Sequence, residues 1–311
     1  MHFPLKIRDD ARFDVVGFGT NAVDFLIRVP NYPEFNSKVE IDEYIQAAGG
    51  EVASTMAGLS RLGLRTAYAG RFGSDAAGQF GMESLADDGV DVSFAERIDG
   101  ARTQIAFIVI DVRSGERTVL WQRDRKLSYA SDEAPLDAAR LGKVLHLTPH
   151  DAFACIEMAK AARDAGTIIS TDVDNVFDGM EDLLPLVDVL ITSHDVPERL
   201  TGISELRPAM KQMQQSYGCP VVGVTLGDAG SIMLSGGEFC ETSGFAVPGG
   251  CQDTTGAGDA FRVGLIYGML TGQSIAESSR AANAVAALKC RAIGARTALP
   301  DDSELRSFLK Q

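Results

Sequence analysis

The chain has 311 residues, of which 45% are hydrophobic and 23% are charged, as in a folded globular protein whose core is large enough for an enzyme. Its net charge of −14, from 29 Lys and Arg against 43 Asp and Glu, argues against binding to nucleic acid or to an anionic membrane surface. Five scattered cysteines without a CxxC pair argue against a zinc site or a disulfide framework, and because no signal peptide or membrane-spanning apolar run is apparent we expect a cytoplasmic protein.

The first predicted element is a buried strand from Phe13 to Gly19 that ends in a glycine turn. Gly17 and Gly19 resemble the start of a dinucleotide-binding sequence, but the third glycine is missing and no helix pattern follows, so we set that interpretation aside. Asn21 and Asp24 come next, and such a polar pair at the end of a strand often only caps a turn.

A small sheet apart from the main body is predicted from two segments of the chain. Alternating residues from Lys38 to Tyr44 indicate an exposed strand. Residues 103–111 and 118–121 are rich in β-forming residues and flank the turn-forming sequence RSGE at 113–116, which indicates a hairpin. For the sole tryptophan, Trp121, we expect burial within an interface of this sheet rather than contact with a substrate.

The second half of the chain alternates between predicted strands and helices, beginning with a strand at 144–147. This alternation favours a doubly wound, mainly parallel sheet flanked by helices, with ligands bound at the carboxyl ends of the strands. One of these strands, at 221–226, runs into a turn that contains Thr225, Gly227 and Gly230.

The seven residues 253–259 (DTTGAGD) lead into a predicted helix whose apolar residues recur every four positions. The first N–H groups of a helix have no acceptor within the helix, and glycines such as Gly256 and Gly258 let an anion approach them closely. The segment therefore predicts an anion-binding site, although a capped helix without any function is the alternative.

Asp259 would lie beside such an anion, in the first turn of the helix. Phosphoryl transfer to an alcohol needs these two parts: donors for the migrating phosphoryl group and a base for the hydroxyl proton. We expect the helix dipole to keep Asp259 ionised at neutral pH. It would then be a weak base that contributes to catalysis mainly through its position beside the reacting groups.

The segment 253–266 (DTTGAGDAFRVGLI) resembles the C-terminal signature of the ribokinase-like (PfkB) carbohydrate kinase family nearly letter for letter. Weaker similarity occurs at Gly49-Gly50, at the 225–230 turn and at Gly294-Ala295. The resemblance implies a single ribokinase-like α/β domain over residues 13–300, with a small β-sheet lid formed by two excursions at about 33–47 and 98–127. Members of the family often dimerise through this lid, so we also expect a homodimer.

The resemblance further implies ATP-dependent transfer of the γ-phosphoryl group to a hydroxymethyl group of a small sugar, with Mg²⁺ and, in some members, K⁺. The site residues that it implies are Asp259 as the catalytic base, with Gly256, Ala257 and Gly258 as the anion site; Thr225, Gly227, Gly230 and Asn283 for ATP; Asn21, Asp24, Gly49, Gly50 and Ser54 for the sugar; and Asp253, Thr255 and Gly294 for a monovalent cation. Two of these have plain alternatives, which are a surface position for Asn283 and an Asx turn made by Asp253.

Two departures from the family pattern leave other functions open. The usual Asn-x-x-Glu of the magnesium site is replaced by Ser193 and Val196, so either Asp195 or Glu198 compensates or metal handling is altered. Ser54 stands where the family has an asparagine. These departures make a non-catalytic sugar- or nucleotide-binding regulator on the same fold one alternative to a sugar kinase. A nucleoside kinase of the same family is the other alternative, because the sequence does not reveal the acceptor pocket.

Overall fold

The computed structural model describes residues 1–113 and 117–310, so the predicted turn at 114–116 lies outside the described residues. The strands are β1 (Phe13–Phe18), β2 (Ala22–Val29), β3 (Glu43–Gly49), β4 (Thr66–Gly73), β5 (Asp91–Ile98), β6 (Ile105–Asp111), β7 (Arg117–Gln122), β8 (Gly142–Leu147), β9 (Ile168–Val173), β10 (Val189–Ser193), β11 (Val221–Thr225), β12 (Ser231–Ser235) and β13 (Glu238–Thr242). The α-helices are α1 (Glu51–Arg61), α2 (Ala76–Asp87), α3 (Leu136–Ala139), α4 (Ala152–Asp164), α5 (Met180–Leu183), α6 (Val196–Thr201), α7 (Leu206–Tyr217), α8 (Ala257–Leu270), α9 (Ile275–Lys289) and α10 (Asp302–Leu309). Among the described residues, no helix combines the length and the apolar character needed to span a bilayer.

The main sheet has nine strands in the order β13-β12-β11-β10-β9-β8-β1-β4-β5. The strands from β11 to β5 pair in parallel, and near one edge β12 pairs antiparallel with both of its neighbours, β11 and β13. Because the chain winds outward in both directions from the β8–β1 pair, a crevice opens there at the carboxyl ends of the strands. The predicted doubly wound, mainly parallel sheet is therefore confirmed.

Helices cover both faces of the main sheet, which is why nearly every residue of its central strands β1, β8 and β9 is buried. One face packs against α1, α8 and α9, and the other packs against α3, α4, α5 and α7. The contact between α8 and α9 is especially close, since a Cβ added to Gly264 would lie 2.5 Å from the Cα of Ala282. This packing holds α8 against the sheet and so directs its first turn toward the crevice.

The small sheet has four strands in the order β3-β2-β6-β7. Strand β2 pairs antiparallel with β3 and in parallel with β6, and β6 pairs antiparallel with β7. The predicted strand at 38–44 is wrong in position, because β3 begins at Glu43 and residues 38–42 form no strand. In β3, Ile45 and Ala47 pack against the buried Leu26. This contact sets the position and register of β3, whereas the alternation of residues at 38–44 does not.

Strand β2 also belongs to the small sheet, although neither predicted excursion included it. It follows β1 after only three residues, 19–21, and so carries the chain directly from the main sheet into the small one. Asp24, at the start of β2, therefore lies near the junction of the two sheets.

Candidate active site

A cleft of about 700 Å³ lies between the main sheet and the small sheet. From the main sheet it is lined by Asp172, Ser193 and Thr225, which lie at the carboxyl ends of β9, β10 and β11. From the small sheet it is lined by residues that include Ala106 and Trp121. Its volume lies within the range usual for sites that enclose small molecules and cofactors.

The beginning of α8 forms one wall of the cleft. Gly256 precedes the helix with a φ of 76°, a left-handed conformation that favours glycine, and a Cβ there would lie 2.8 Å from the Cβ of Ala295. Among the described residues, the N–H groups of Gly256 and Gly258 have no acceptor, and both glycines line the cleft. Ala257, predicted as another donor, already donates to the Thr254 carbonyl at 3.1 Å. Two free donors at the positive end of a helix therefore face the cleft.

Asp259 lies in the first turn of α8 and lines the same cleft. Burial raises the pKa of its carboxyl group to about 8, and the negative charge of Asp172 adds to this effect, whereas Arg262 opposes it. The expectation that the helix dipole keeps Asp259 ionised at neutral pH is therefore wrong for the ligand-free protein. A general base works best when its pKa lies near the working pH, so the raised value suits this role.

The raised pKa of Asp259 predicts how stability depends on pH. Its native pKa of about 8 exceeds the ordinary value of 3.8, so between these two pH values the native state holds a proton that the unfolded state has released. The contribution of Asp259 to the unfolding free energy must therefore fall as the pH rises through that window, and level off above it. We expect urea unfolding of ligand-free Asp259→Asn to show a stability gain over wild type that grows across the window. A gain that does not change with pH would contradict the raised pKa.

Sequence reasoning missed a largely buried ion pair that lines the cleft, between Arg262 of α8 and Asp172 of β9. The guanidinium group donates to the Asp172 carboxylate, and the two residues are 2% and 7% exposed. Burial raises the pKa of Asp172 to about 6, against the opposing charge of Arg262. A Cβ on Gly258 would lie 2.9 Å from Nη1 of Arg262, so the guanidinium group lies directly behind the anion site. Asp172 lies near the carboxyl end of β9, where ligands of a parallel sheet are expected, but nothing in the sequence pointed to its partner.

Asp24 and Gly50 also line the cleft. Asp24 is 5% exposed, and burial raises its pKa to about 6 while the charge of Arg296 opposes the shift. Its carboxylate accepts no hydrogen bond from the described part of the chain, so its oxygens are available to a ligand. A Cβ on Gly49 would overlap this carboxylate, and Gly50 has a φ of 88°, so glycines are needed where the backbone passes Asp24.

Three of the predicted sugar-binding residues do not line the cleft: Gly49, and the two whose side chains were expected to reach the sugar, Asn21 and Ser54. The Asn21 amide donates to the Tyr68 hydroxyl at 2.7 Å and to the Arg71 carbonyl at 2.9 Å, and Asn21 lines a small neighbouring cavity instead. Ser54 is buried in α1, where its hydroxyl accepts a hydrogen bond from Arg296 Nε at 3.2 Å. This arrangement does not favour a direct contact of either side chain with a sugar, and both contacts stay predictions.

Arg296 is a further residue that sequence reasoning missed. It is 5% exposed, donates to the Ser54 hydroxyl and the Gly49 carbonyl, and stays charged at neutral pH because burial lowers its pKa only to about 10. Its neighbour Ala295 lines the cleft and packs against Gly256. Arg296 therefore links the anion site to the backbone beside Asp24, and the short side chain of Ser54 accepts one of its hydrogen bonds.

Replacement of Arg296 by Gln is expected to raise the KM for the acceptor about tenfold, with a smaller change in kcat and in the KM for ATP. One reason is that a charged hydrogen bond to Gly49 is lost, and such a bond contributes about 1.5–3 kcal/mol. The other reason is that the positive charge that opposes protonation of Asp24 disappears. Initial-rate kinetics with each substrate varied in turn measure this. Ser54→Ala, which removes only the serine acceptor, is the control and should change the acceptor KM less; an unchanged acceptor KM in a folded Arg296→Gln contradicts the positioning role.

Two of the predicted nucleotide residues, Thr225 and Gly227, line the cleft at the end of β11. Gly230 is not among the lining residues. It has a φ of 106°, and its carbonyl accepts a hydrogen bond from the N–H of Leu226 at 2.8 Å, which closes the turn. Gly230 therefore shapes the turn, and any effect on a nucleotide would come through the position of Gly227.

Asn283 of α9 is 5% exposed, so the alternative of a surface position is wrong. Its amide donates to the carbonyls of Thr242 at 3.1 Å and Ser243 at 3.2 Å, and to the Ser231 hydroxyl at 3.3 Å. These bonds anchor the end of β13 on α9. The contact of Asn283 with adenine stays a prediction that this arrangement does not favour.

The segment that replaces the usual magnesium motif reaches the cleft through Ser193 and His194. Asp195 instead pairs with Arg199 at 3.3 Å, Glu198 is exposed, and neither carboxylate lines the cleft. Neither side chain is therefore placed to compensate for the missing motif.

Carboxylates do reach the cleft from other elements; besides Asp24, they are those of Glu51, Asp172, Asp174 and Asp259. Burial raises the pKa of Glu51 well above its ordinary value, and the charge of Asp174 adds to this. Within residues 1–113 and 117–310, no three His, Cys, Asp or Glu side chains are arranged to hold a metal ion by themselves. A divalent cation in the cleft would need oxygens from a ligand, as Mg²⁺ commonly takes from phosphates.

Asp253, predicted as a cation ligand, forms the Asx turn that was the alternative. Its Oδ1 accepts from the N–H of Thr255 at 2.8 Å, and its Oδ2 accepts from the N–H of Gly294 at 2.9 Å. Asp253 is 2% exposed and does not line the cleft. The three predicted cation ligands, Asp253, Thr255 and Gly294, are thus brought together, but through hydrogen bonds from the N–H groups of Thr255 and Gly294 to the Asp253 carboxylate.

The small sheet covers the cleft and reaches the anion site. Trp121 is 62% exposed in the single chain and lines the cleft, so its burial in an interface of the small sheet stays a prediction that this position does not favour. Ile108 and Val119 line the cleft beside it, and the guanidinium group of Arg117 donates to the Thr254 hydroxyl. The small sheet is therefore placed to exclude water from a ligand bound between it and α8.

Free N–H donors and a carboxylate at one helix N-terminus, placed at the crevice of a parallel sheet beneath a small β-sheet, define a phosphotransferase of the ribokinase-like fold. A putative ribokinase from Agrobacterium tumefaciens superposes with a TM-score of 0.86 at 26% identity, covering 96% of this chain and 99% of that one. The Arabidopsis thaliana ribokinase, solved with ribose and ATP, superposes with a TM-score of 0.82 at 25% identity and the same coverage.

Sequence comparison agrees with the fold. A nucleoside kinase from Methanothermobacter thermautotrophicus is 29% identical over 297 residues, which cover 94% of each chain. Residues 13–302 match the pfkB family of carbohydrate kinases, and the chain belongs to that family. The protein is therefore a phosphotransferase that acts on a sugar hydroxyl group.

Proposed function

We propose that the protein is an ATP-dependent kinase that transfers the γ-phosphoryl group to a hydroxymethyl group of a small sugar. The observation that carries this proposal is the first turn of α8, where the free N–H groups of Gly256 and Gly258 and the carboxylate of Asp259 face one cleft. The similarity to a ribokinase solved with ribose and ATP supports both the donor and the class of acceptor.

In the proposed reaction, the triphosphate lies between the turn at Thr225 and Gly227 and the start of α8. Ionised Asp259 accepts the proton of the sugar hydroxyl as the hydroxyl oxygen attacks the γ-phosphorus atom. The bond from that phosphorus atom to the oxygen bridging the β-phosphate breaks, and ADP leaves with the electron pair. The free donors at Gly256 and Gly258 hydrogen-bond to the oxygens of the migrating group, whose charge they stabilise.

The sugar would be held on the other side of the cleft by Asp24. A carboxylate whose oxygens accept no bond from the described chain can accept hydrogen bonds from two neighbouring hydroxyl groups. The small sheet, through Ile108, Val119 and Trp121, keeps water away from the phosphoryl group, since water would otherwise compete as the acceptor.

Magnesium fits the chemistry of the cleft, because the mutual repulsion of Glu51 and Asp174 marks a place where a cation would be favourable. We propose that these two carboxylates hold Mg²⁺ together with the phosphates of ATP. When bound, Mg²⁺ supplies neutralising charge at the phosphate oxygens.

A nucleoside acceptor is the second candidate. Exposed Trp121 on the cleft wall offers a flat apolar surface on which a base can stack, and one relative is a nucleoside kinase. A non-catalytic regulator is disfavoured, because the free donors and the carboxylate of α8 are all in place.

The proposal is tested by a thermal-shift screen of sugars and nucleosides with a non-hydrolysable ATP analogue and Mg²⁺, followed by an ADP-release assay on each ligand that stabilises the protein. A sugar that both stabilises the protein and drives ADP release supports the proposal, whereas turnover with nucleosides alone supports the second candidate. Binding without any turnover would support the regulator.

We also propose that the protein dimerises through the outer face of the small sheet. Tyr44, Phe107 and Leu120 are 53%, 42% and 59% exposed, and Phe25 stacks between the rings of Tyr44 and Phe107, with centroids 6.0 and 5.1 Å away. Such an apolar face on an exposed sheet is typical of an interface between subunits. Sedimentation equilibrium measures the oligomeric state directly, and a monomer at micromolar concentration would contradict this proposal.

A further inference from the structure

The place predicted for a monovalent cation is beside the side chain of Lys289, the last residue of α9. Lys289 is fully buried. Its Nζ donates to the backbone carbonyl of Asp253 at 2.7 Å and lies 3.7 Å from the Asp253 carboxylate. A protein ammonium group thus already stands next to the carboxylate that was expected to bind K⁺.

Most of the predicted ligand oxygens are already engaged, and of their side-chain oxygens only the hydroxyl of Thr255 is buried without a hydrogen-bond partner among the described residues, which is too few for K⁺. A bound alkali-metal ion needs several oxygen ligands that point toward it. Here the two oxygens of the Asp253 carboxylate accept hydrogen bonds from the N–H groups of Thr255 and Gly294, and the carbonyl of Asp253 accepts from Lys289. A second positive charge within a few ångströms of the Lys289 ammonium group would also be repelled by it.

We propose that the ammonium group of Lys289 is the built-in cation of the anion-binding turn, and that phosphoryl transfer by this protein needs no monovalent metal ion at Asp253. The inference rests on the proposed kinase function and deepens it. Lys289 does not line the cleft, so it is a positioning residue that acts through the turn at 253–256.

The effect of Lys289 on the anion site follows from the connections of that turn. Lys289 donates a hydrogen bond to the carbonyl of Asp253. The backbone carbonyl of Cys290, which directly follows α9, accepts a hydrogen bond from the N–H of Gln252 at 2.8 Å. The end of α9 therefore fixes the position of the backbone at residues 252–253, which leads into the turn before Gly256. The buried positive charge also adds to the positive potential of the α8 N-terminus, and both effects favour an anion there.

Two substitutions of Lys289 separate this role from simple packing. Lys289→Ala removes the ammonium group and leaves a space that K⁺ or NH₄⁺ can enter, whereas Lys289→Met removes the charge and fills most of the space. We would measure kcat and the unfolding temperature of wild type and both variants while KCl or NH₄Cl replaces tetramethylammonium chloride at constant ionic strength.

We expect the wild-type kcat to change less than about twofold with either salt, and the unfolding temperature to be unaffected. Lys289→Ala should lose about tenfold or more in kcat, regain a large part of it with K⁺ or NH₄⁺, and rise in unfolding temperature as the ion binds. Lys289→Met should show the loss without the rescue.

Activation of the wild type by K⁺, or a folded Lys289→Ala that responds to neither ion in rate or in stability, would overturn the inference. The stability measurements need no acceptor, so they decide the role of Lys289 even if no substrate is phosphorylated. Absence of phosphorylation in every salt would count against the kinase proposal instead.

Discussion

Asp259→Asn is expected to lower kcat about a thousandfold while binding of an ATP analogue is retained, because the amide cannot accept the proton of the acceptor hydroxyl. Asn has nearly the same volume as Asp, and the N–H groups of Gly256 and Gly258 remain in place. The phosphate site should therefore survive while proton transfer is lost. Single-turnover kinetics with the sugar identified by the ligand screen measure the chemical step directly.

The control for this loss is Glu198→Gln, which neutralises an exposed carboxylate outside the cleft and should leave kcat nearly unchanged. Thermal shifts with the ATP analogue show whether each variant still binds the nucleotide. Turnover retained in Asp259→Asn would remove Asp259 as the base. A large loss in Glu198→Gln would instead show that this carboxylate has a role in metal binding.

The second large effect is on stability: Arg262→Met is expected to lower the free energy of unfolding. Arg262 and Asp172 are both buried, so removal of the guanidinium group leaves the Asp172 carboxylate without its counter-charge. Breaking a buried pair in this way costs about 3–5 kcal/mol. Urea unfolding of the ligand-free protein should show a loss of that size, and the loss should shrink toward low pH as Asp172 becomes protonated.

The double variant Arg262→Met with Asp172→Asn tests the cause of that loss. Because no unpaired charge remains, it should recover a large part of the stability, so the two changes should be strongly non-additive in a double-mutant cycle. Additive losses would show that Arg262 stabilises the protein through the packing of its side chain rather than through Asp172.

The sequence predicted the architecture well because its strongest signals are local. The helix that begins after Gly256 follows from a short run of residues whose backbone requirements can be recognised one at a time. The parallel sheet follows from the alternation of strands and helices after residue 144. Where a local pattern was weak, the prediction failed: the alternation at 38–44 lies ahead of β3, whose position is decided by packing against Leu26.

The chemistry around the anion site could be predicted only in part. Asp24 and Asp259 line the cleft as expected, but the pKa of Asp259 was misjudged because it depends on burial and on the nearby charge of Asp172. Asn21, Ser54 and Asn283 were assigned to ligands from their positions in motifs, yet each is committed to a hydrogen bond with another part of the chain. Such partners are set by packing and leave no trace in the local sequence.

What the sequence alone determined about this protein is the kind of fold and the place of its phosphate-binding helix, because these depend on residues close together in the chain. Only the tertiary structure paired Arg296 with Ser54, Arg262 with Asp172, and Lys289 with Asp253. These contacts join segments that are far apart in sequence, and a buried charge finds its partner only when the packed core excludes water around both.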